Sequence, residues 1–254
     1  VRINPSSEEY RKALSAAFLS SSKKSLEVRY EHRHEAFSDG RAAYVDRRLV
    51  LSLAAIPRPG TLNLKWHRTT RFGISDTRWG IEAYPLLWHR AYGYIDLTYS
   101  PSARHFPRTA YLMEIYQSIF SDAEVSLGFR RMNFPTRSVS VFMGSSAYYF
   151  GEYYASLRGY YTPEELGARF SWILHLRKYI DRESYLFASY GRGSRPFEIT
   201  TFEDIQVLKS QVFLAGWDGY ILKHIRLRLQ FLHRTEDSGL TRNAVFFILG
   251  FRSP

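Results

Sequence analysis

Two histidines and three serines are the residues of this chain that could carry out covalent chemistry. His175 and His224 fall on the charged side of predicted strands, and Ser140, Ser156 and Ser171 share that side. A serine beside a histidine base is the nucleophile of many hydrolases. Strand position alone does not show that the two residue types touch, and the polar face of a sheet carries many such residues. We interpret them as lining residues, and a barrel enzyme acting on lipid or surface substrates is the third functional hypothesis.

A second pair of histidines could bind a metal ion. His32 and His34 flank Arg33, and Glu31 and Glu35 lie beside them. Residues two apart on a strand offer two ligands at most, fewer than a zinc site needs. The chain also has no cysteine, which excludes disulfides and thiolate ligands. The sequence therefore predicts no metal and no cofactor, and the two histidines indicate a solvated rim.

Three aspartates and one basic stretch are interpreted as connections between strands. Asp39, Asp76 and Asp237 occur in sequences typical of turns, and none begins a calcium-binding loop. Residues 192–196 are basic and contain glycine, but they do not lead into a helix as a phosphate-binding loop does. We expect neither calcium nor phosphate to bind at these places.

The net charge of +11 raises the question of nucleic acid as a partner. The 35 basic residues are, however, spread along the chain at one or two per predicted strand, and no nucleic-acid-binding motif is present. A nucleic-acid footprint would be a clustered patch or stripe. The sequence therefore predicts no nucleic-acid partner.

Apolar and charged residues alternate along most of the chain. In residues 26–31, leucine, valine and tyrosine alternate with glutamate, arginine and glutamate. This period of two is typical of β-strands, whose side chains leave on opposite faces. No run reaches the roughly 20 consecutive apolar residues of a membrane helix. The pattern predicts about fourteen strands, near residues 25–34, 43–54, 61–70, 77–86, 91–100, 108–118, 123–132, 137–146, 151–161, 168–178, 184–191, 204–215, 220–233 and 242–251.

The length of these strands favours a membrane. Most have about ten residues, and a tilted transmembrane strand needs about 9–11. Soluble strands average nearer five or six. We therefore predict an all-β fold with a single closed antiparallel transmembrane β-barrel of about 14 strands, or 12 or 16 if one hairpin is misassigned. The alternative is a soluble barrel with an aromatic core and its charges outside.

The cost of placing a charge in lipid decides which face points outward. Lys or Arg at the lipid-facing midplane costs about 2–4 kcal/mol, so we assign the apolar set of each strand to lipid. That set includes Leu26, Val28, Tyr30, Leu49, Leu51, Leu53, Leu62, Leu64, Trp66, Val125, Leu127, Phe129, Val139, Val141, Met143, Phe170, Trp172, Leu174, Leu176, Ile225, Leu227, Leu229 and Phe231.

The opposite set is then predicted to line the lumen. Its charged members are Glu27, Arg29, Glu31, Arg48, Lys65, Arg78, Glu82, Asp96, Glu114, Glu124, Arg130, Glu152, Arg158, Arg169, Arg177, Arg226 and Arg228. Both signs are present, and buried charges persist only when they are paired and hydrogen-bonded. We expect Arg–Glu networks inside a net-basic lumen.

The connections between predicted strands differ at the two ends of the barrel. Several odd-numbered ones are long and polar, such as 35–42, 101–107 and 192–203, while even-numbered ones such as 119–122 and 216–219 are tight. Bacterial outer-membrane barrels have long extracellular loops and short periplasmic turns. The sequence therefore predicts the bacterial outer membrane, with both termini in the periplasm. The connection near residues 73–76 is short for an external loop.

The first 24 residues differ from the rest. Residues 5–19 have the spacing of a capping box and one apolar face, which predicts a short amphipathic helix. Residues 20–24 read as a linker. We divide the chain into a periplasmic N-terminal helix and linker (1–24) and a transmembrane β-barrel (25–254). The helix is interpreted as a plug or lid, and the alternative is the stub of a docking domain.

An ordered series of short segments resembles the YaiO family of outer-membrane β-barrels. The segments lie at residues 71–73, 81–85, 92–94, 99–100, 106–108, 114–118, 124–130, 149–153 and 156–158, for example Glu-Ile-Tyr-Gln-Ser at 114–118 and Glu-Val-Ser-Leu-Gly-Phe-Arg at 124–130. The similarity covers roughly residues 25–192. The resemblance implies an outer-membrane barrel and implies no catalytic residue and no substrate.

Two functional hypotheses precede the enzyme. The first is a structural or docking barrel of an envelope complex, with its lumen filled by Arg–Glu networks. The alternative is a conduit or gated channel for an anionic solute or polymer, for example a glycan, because fixed positive charge concentrates anions in a narrow passage. The expected partners are outer-membrane lipid or lipopolysaccharide and proteins of an envelope complex.

Overall fold

A computed structural model describes residues 26–54, 60–120, 122–163, 169–181, 183–193 and 210–253. The N-terminal helix predicted at residues 5–19 lies outside these ranges. The strands are β1 (Leu26–Phe37), β2 (Tyr44–Ala54), β3 (Thr61–Arg71), β4 (Ile74–Ala83), β5 (Leu86–Trp88), β6 (Ala91–Tyr99), β7 (Thr109–Ser118), β8 (Ala123–Asn133), β9 (Ser138–Phe150), β10 (Tyr153–Thr162), β11 (Arg169–Tyr179), β12 (Tyr185–Gly193), β13 (Ser210–Leu222), β14 (Ile225–Glu236) and β15 (Thr241–Arg252). Among the described residues, no helix is long and apolar enough to span a bilayer.

These strands form one closed antiparallel barrel. β1 pairs with both β2 and β15, which joins the two ends of the sheet. β4 and β5 both pair with β6, so they are two pieces of a single wall strand. The interruption falls at Tyr84 and Pro85, and proline has no N–H group to donate to a ladder. Counted this way the wall has fourteen strands, which confirms the predicted number.

The two ends of the barrel are named here by what lies there. At the terminal end, Leu26 lies beside Ser253, whose backbone N–H donates to the Leu26 carbonyl at 2.8 Å. The opposite end is called the loop end, and it carries the connection at residues 100–108. The connection near residue 73 is a two-residue turn at the loop end, since Phe72 and Gly73 both have positive φ, at 51° and 74°.

One predicted turn is wrong. Residues 216–219 lie inside β13, and the chain reverses at Lys223 and His224. The glycines there serve close packing: a Cβ on Gly216 would lie 2.3 Å from the Leu229 carbonyl oxygen of the next strand. Glycine in a strand marks either a turn or a close backbone approach, and the sequence does not distinguish the two.

The outer face of the barrel is apolar and exposed, as predicted for most strands. Leu127, Phe170 and Trp79 are 77%, 64% and 56% exposed. The inner face carries nearly all of the residues that are both buried and polar. Large apolar side chains exposed over a whole barrel surface are unfavourable in water, so this face is suited to lipid.

The face assignment of β9 is wrong. Val139, Val141 and Met143 were expected to face lipid, but they are buried on the inner face, in a cluster with Met132 and Phe134. Ser140, expected inside, lies on the outer face, where it accepts a hydrogen bond from Arg131 at 2.8 Å. β9 has a serine-rich face and an apolar face, and the inner surface beside it is itself apolar. The rule that polar residues line the lumen therefore predicted the serine-rich face of β9 to be inside, which is wrong.

Candidate functional site

The inner face of the barrel is divided into a packed half and an open half. Toward the loop end, Glu35, Phe106, Met132, Leu232 and Arg234 are almost completely inaccessible to solvent. Toward the terminal end, the side chains enclose a cavity of about 540 Å³, called here the vestibule. Its lining is mainly polar and includes Glu27, Arg29, Ser52, Ala54, Asn63, Glu82, Tyr84, Arg177, Glu183, Arg226 and Arg252. The vestibule is an inner surface at which a partner or solute could bind.

The packed half is closed in part by the connection at residues 100–108, called here the inward loop. Asp76 on β4, 2% exposed, holds this loop. Its carboxylate accepts hydrogen bonds from the backbone N–H groups of His105 and Phe106, at 2.8 and 2.9 Å. The hydroxyls of Ser100 and Ser102 also donate to it, at 3.1 and 2.5 Å. Asp76, interpreted from the sequence as a turn residue, instead anchors the loop to the barrel wall.

Phe106 fills the interior at the tip of this loop. Its ring centroid lies 4.7 Å from that of His67, and the Arg78 guanidinium lies 4.5 Å from the same ring. Arg78 also contacts His67 Nδ1 at 3.0 Å. A buried cation over an aromatic face is stabilised by the ring quadrupole. Arg78 thus lies inside the barrel, where it packs against the inward loop.

Three charged residues of β3, β4 and β6 meet near the vestibule. Lys65 Nζ lies 2.8 Å from Glu82 and 2.7 Å from Asp96. Asn63 and Tyr84 also donate to the Glu82 carboxylate, at 2.8 and 2.7 Å. One lysine between two carboxylates leaves a local excess of negative charge, which these neutral donors stabilise.

A second network joins β7 to β10, three strands away. Arg158 donates to both oxygens of Glu114, at 2.8 and 3.1 Å, which is a bidentate pair. The same guanidinium donates to the Tyr116 hydroxyl at 2.8 Å, and Ser126 donates to Glu114 at 2.5 Å. Glu114 is almost fully buried, so its charge depends on these donors.

A third network surrounds Asp218 on β13. Arg226 Nε lies 2.6 Å from Oδ1, Arg228 donates to Oδ2, and the Tyr185 hydroxyl donates to Oδ2 at 3.0 Å. The sequence reasoning missed Asp218 because it was assigned to a turn. The register of the hairpin could have indicated this pair, because Asp218 of β13 lies directly opposite Arg228 of β14.

The first two strands carry a ladder of alternating charges. Arg29 lies 4.0 Å from Glu27 and 2.9 Å from Glu31, and Arg48 lies 3.1 Å from Glu31. The side chains of Arg29 and Arg48 remain about a third exposed, at 31% and 35%. Pairs with this exposure contribute less than buried ones.

Most of the remaining charged residues that were predicted to line the lumen are on the inner face. Arg177 lies 4.9 and 5.0 Å from the rings of Tyr154 and Tyr185. Glu124 accepts from the Tyr92 hydroxyl at 3.4 Å. By register, Arg130 lies opposite Val141 and Arg169 opposite Thr162, both buried inner-face positions.

The prediction that Glu152 lines the lumen is wrong. It lies exposed in the turn between β9 and β10, next to Gly151, whose φ is 59°. The strand was predicted to begin at residue 151, and the two-residue turn delays its start until Tyr153. Asp39 is a turn residue as interpreted, and the Arg41 side chain that donates to it lowers the pKa of its carboxyl.

The structure does not build a hydrolase site from the predicted histidines. His175 Nδ1 lies 2.6 Å from the Ser189 hydroxyl, and Arg177 donates to His175 Nε2 at 2.7 Å. With Nε2 accepting, the neutral ring carries its proton on Nδ1 and donates to the serine. It therefore cannot take the proton of Ser189 in this arrangement. His224, expected inside the lumen, lies in the turn between β13 and β14.

The predicted rim histidines lie on the outer face of β1. His32 and His34 are directly opposite Arg47 and Val45 of β2. Among the described residues, no three histidine, aspartate or glutamate side chains are grouped as a metal site would require.

Solved structures with a similar fold are membrane barrels. Omp33 of Acinetobacter baumannii has a TM-score of 0.57 at 8% identity, with 91% of this chain and 98% of that chain covered. CymD, described as a monoaromatic hydrocarbon channel, has a TM-score of 0.56 at 5% identity, covering 96% and 92%. OpdQ of Pseudomonas aeruginosa has a TM-score of 0.50 at 8% identity, covering 91% and 98%. At such identities the likeness shows the fold alone.

Sequence comparison identifies the family. No curated protein matches this chain in sequence. The family model described as the YaiO membrane beta barrel domain matches residues 23–198, more than half of the chain. Together with the closed fourteen-strand barrel and its porin-like neighbours, this match makes the protein a bacterial outer-membrane β-barrel. The chain belongs to the YaiO family.

Proposed function

We propose that this protein is a docking barrel of an envelope complex, with its loop end at the cell surface and both termini in the periplasm. The orientation is supported by the connections. Turns at the terminal end include the two-residue reversals at 151–152 and 223–224, and the nine-residue inward loop belongs to the loop end. Outer-membrane barrels have their short turns on the periplasmic side.

The contrast between the two halves of the inner face carries the proposal. Phe106, Met132, Leu232 and Arg234 are fully buried toward the loop end, whereas the vestibule opens at the terminal end. A passage for solutes needs a continuous polar path, but this half contains apolar clusters at Met132 and Leu232. A cavity lined by residues at the terminal end is suited to receiving a segment of a partner.

The charges of the vestibule indicate the chemistry of that segment. Glu27, Glu82 and Glu183 provide carboxylates, and Arg177, Arg226 and Arg252 provide guanidiniums. Both signs line one cavity, so a polar peptide of mixed charge is complementary to it. The volume of about 540 Å³ accommodates a few side chains and not a folded domain. The partner is therefore a periplasmic protein that inserts a loop or terminus.

Site-specific photo-crosslinking tests docking. A photoreactive side chain at Ser52, which lines the vestibule, should crosslink a periplasmic protein in intact cells. The adjacent Leu53, on the outer face, is the matched control and should crosslink no such protein. If Ser52 gives no protein adduct and mild extraction yields a monomer without partners, the docking function is wrong.

A conduit for anions is the second candidate, and one observation favours it. Arg226 and Arg228 are each 34% exposed although they are paired with Asp218. Two guanidiniums on one carboxylate leave net positive charge facing water, which attracts anions. In this case the inward loop would act as a gate, and the conductance of a barrel whose loop is released would separate the two functions.

A further inference from the structure

A row of basic side chains crosses three neighbouring strands on the outer face. His32 of β1 lies directly opposite Arg47 of β2, and Arg47 lies directly opposite Arg68 of β3. His34 is the next outward residue of β1 toward the loop end. Neighbouring strands are about 4.8 Å apart, so the three side chains of the row form one compact patch. Arg47 and Arg68 are both exposed.

Nothing in the described parts of the chain neutralises this row. Neither Arg47 nor Arg68 has a carboxylate partner there. The acidic residues of the same strands point to the inner face and are engaged: Glu31 with Arg48 at 3.1 Å, Glu35 with Arg33 at 2.5 Å, and Asp46 with His67 at 3.4 Å. Like charges directly opposite each other destabilise a sheet. An anion from outside the chain that binds between the arginines would offset this repulsion.

The row lies immediately beyond the apolar surface of these strands. Tyr30, Leu49, Trp66 and Trp79 form the row that is one step nearer the terminal end, in register across β1 to β4. Beyond it toward the loop end, the outward residues of these strands are polar, charged or small apart from Val45. Aromatic side chains gather at the boundary between hydrocarbon and headgroups. The basic row is thus at the level of the headgroups.

We propose that His32, Arg47 and Arg68 bind a phosphate group of a phosphorylated glycolipid in the outer leaflet. Arginine binds phosphate through a planar, bidentate set of donors, and two arginines from adjacent strands can take one phosphate from both sides. The assignment to the outer leaflet rests on the proposed orientation of the barrel, which puts the loop end at the cell surface. The basic row is separate from the vestibule, because it lies on the opposite face of the sheet.

Lipid binding to the purified barrel tests this site. Native mass spectrometry with added diphosphoryl lipid A would measure affinity for the wild type and for the double variant Arg47→Gln/Arg68→Gln. A basic residue near an anionic surface contributes about a fivefold factor, so the double variant should bind about 25-fold more weakly. Arg47→Lys/Arg68→Lys keeps the charges and should retain most of the affinity.

Arg131→Gln is the matched control. Arg131 is also an outward arginine toward the loop end, but it lies opposite Tyr111 and Ser140 rather than another cation. Its loss should change the affinity less than about twofold. Heat-modifiable migration on gels establishes that each variant is a folded barrel. Equal lipid A affinity in the wild type and the Arg47→Gln/Arg68→Gln variant, or an equal loss in Arg131→Gln, would overturn the site.

Binding of two further lipids tests whether the phosphate and the glycolipid are recognised. Dephosphorylated lipid A should bind the wild type and the double variant alike, since the phosphate is the recognised group. If phosphatidylglycerol shows the same arginine-dependent affinity as diphosphoryl lipid A, the glycolipid assignment is wrong and the row recognises any phospholipid. Failure here leaves the crosslinking result at Ser52 unaffected, so the site and the docking function fail separately.

Discussion

Asp76 accepts hydrogen bonds from the backbone N–H groups of His105 and Phe106, and through this contact a surface connection becomes part of the barrel interior. The carboxylate is on a wall strand, and the loop it holds lies 24–30 residues further along the chain. Four donors from that loop converge on its two oxygens. Asp76 therefore ties the inward loop to the wall of the barrel.

Replacing this aspartate should release the loop. In Asp76→Ala the buried N–H groups of His105 and Phe106 lose their acceptor, and each unsatisfied group costs about 1–3 kcal/mol. Arg104, in the same loop, should then become a site of trypsin cleavage in proteoliposomes. Asp39→Ala, in an exposed turn, is the control and should leave cleavage at Arg104 unchanged. Continued protection of Arg104 in Asp76→Ala would show that packing of Phe106 alone retains the loop.

The same variant distinguishes a docking barrel from a gated conduit. We expect the wild type to show little conductance in planar bilayers, because apolar side chains pack the loop half of the interior. In a gated conduit, Asp76→Ala should open a steady anion-preferring current. Adding Arg226→Gln and Arg228→Gln should then lower the anion preference, since these guanidiniums are partly exposed in the interior. No current in any of these variants would exclude the conduit.

The pair of Glu114 and Arg158 should contribute strongly to stability. Glu114→Ala leaves a guanidinium without its bidentate partner, and breaking a buried pair costs about 3–5 kcal/mol. Arg158 is 25% exposed, so we expect about 2–3 kcal/mol, measured by urea unfolding in lipid vesicles. Glu152→Ala, in the exposed turn, should change the free energy of unfolding by less than about 0.5 kcal/mol. Equal effects of the two substitutions would mean that the network adds nothing.

Gly216 should not tolerate a side chain. A Cβ at this position would lie 2.3 Å from the Leu229 carbonyl oxygen and 2.7 Å from the Phe187 ring. Gly216→Ala should therefore lower the yield of heat-modifiable, folded barrel. Gly159→Ala is matched to it, since its Cβ would lie at ordinary contact distances of 3.4 and 3.5 Å from Phe170. A fully folded Gly216→Ala barrel would show that β13 and β14 can separate locally.

The hypothesis of a barrel enzyme predicts catalysis, but the geometry of His175 predicts an inactive protein. Because Arg177 donates to its Nε2, His175 is oriented as a hydrogen-bond donor to Ser189. We expect the purified protein to release no fatty acid from phospholipid vesicles. Release by the wild type that disappears in His175→Ala would contradict this expectation and restore the enzyme hypothesis.

The alternation of apolar and polar residues was enough to predict the strands and most of the outward face. Alternation along a strand depends only on neighbouring residues, so the fourteen wall strands and the lipid-facing positions from Leu26 to Phe231 could be predicted, apart from those of β9. Two strand boundaries were wrong: Gly216 was predicted in a turn but lies in β13, and Glu152 was predicted in a strand but lies in a turn. A glycine or a polar residue near a strand end is compatible with both a strand and a turn. The similarity to the YaiO family was also visible in the order of short segments.

The charges that meet, and the half of the barrel that is packed, became known from the three-dimensional structure alone. Arg158 and Glu114 are 44 residues apart, and Asp76 and Phe106 are 30 residues apart. Such contacts depend on strand register, on barrel closure and on the path of a loop, none of which leaves a periodic signal. The reversed face of β9 has a related cause: Val141 packs in an apolar cluster with Met132 of β8 and Tyr160 of β10, and these contacts depend on the register of the neighbouring strands.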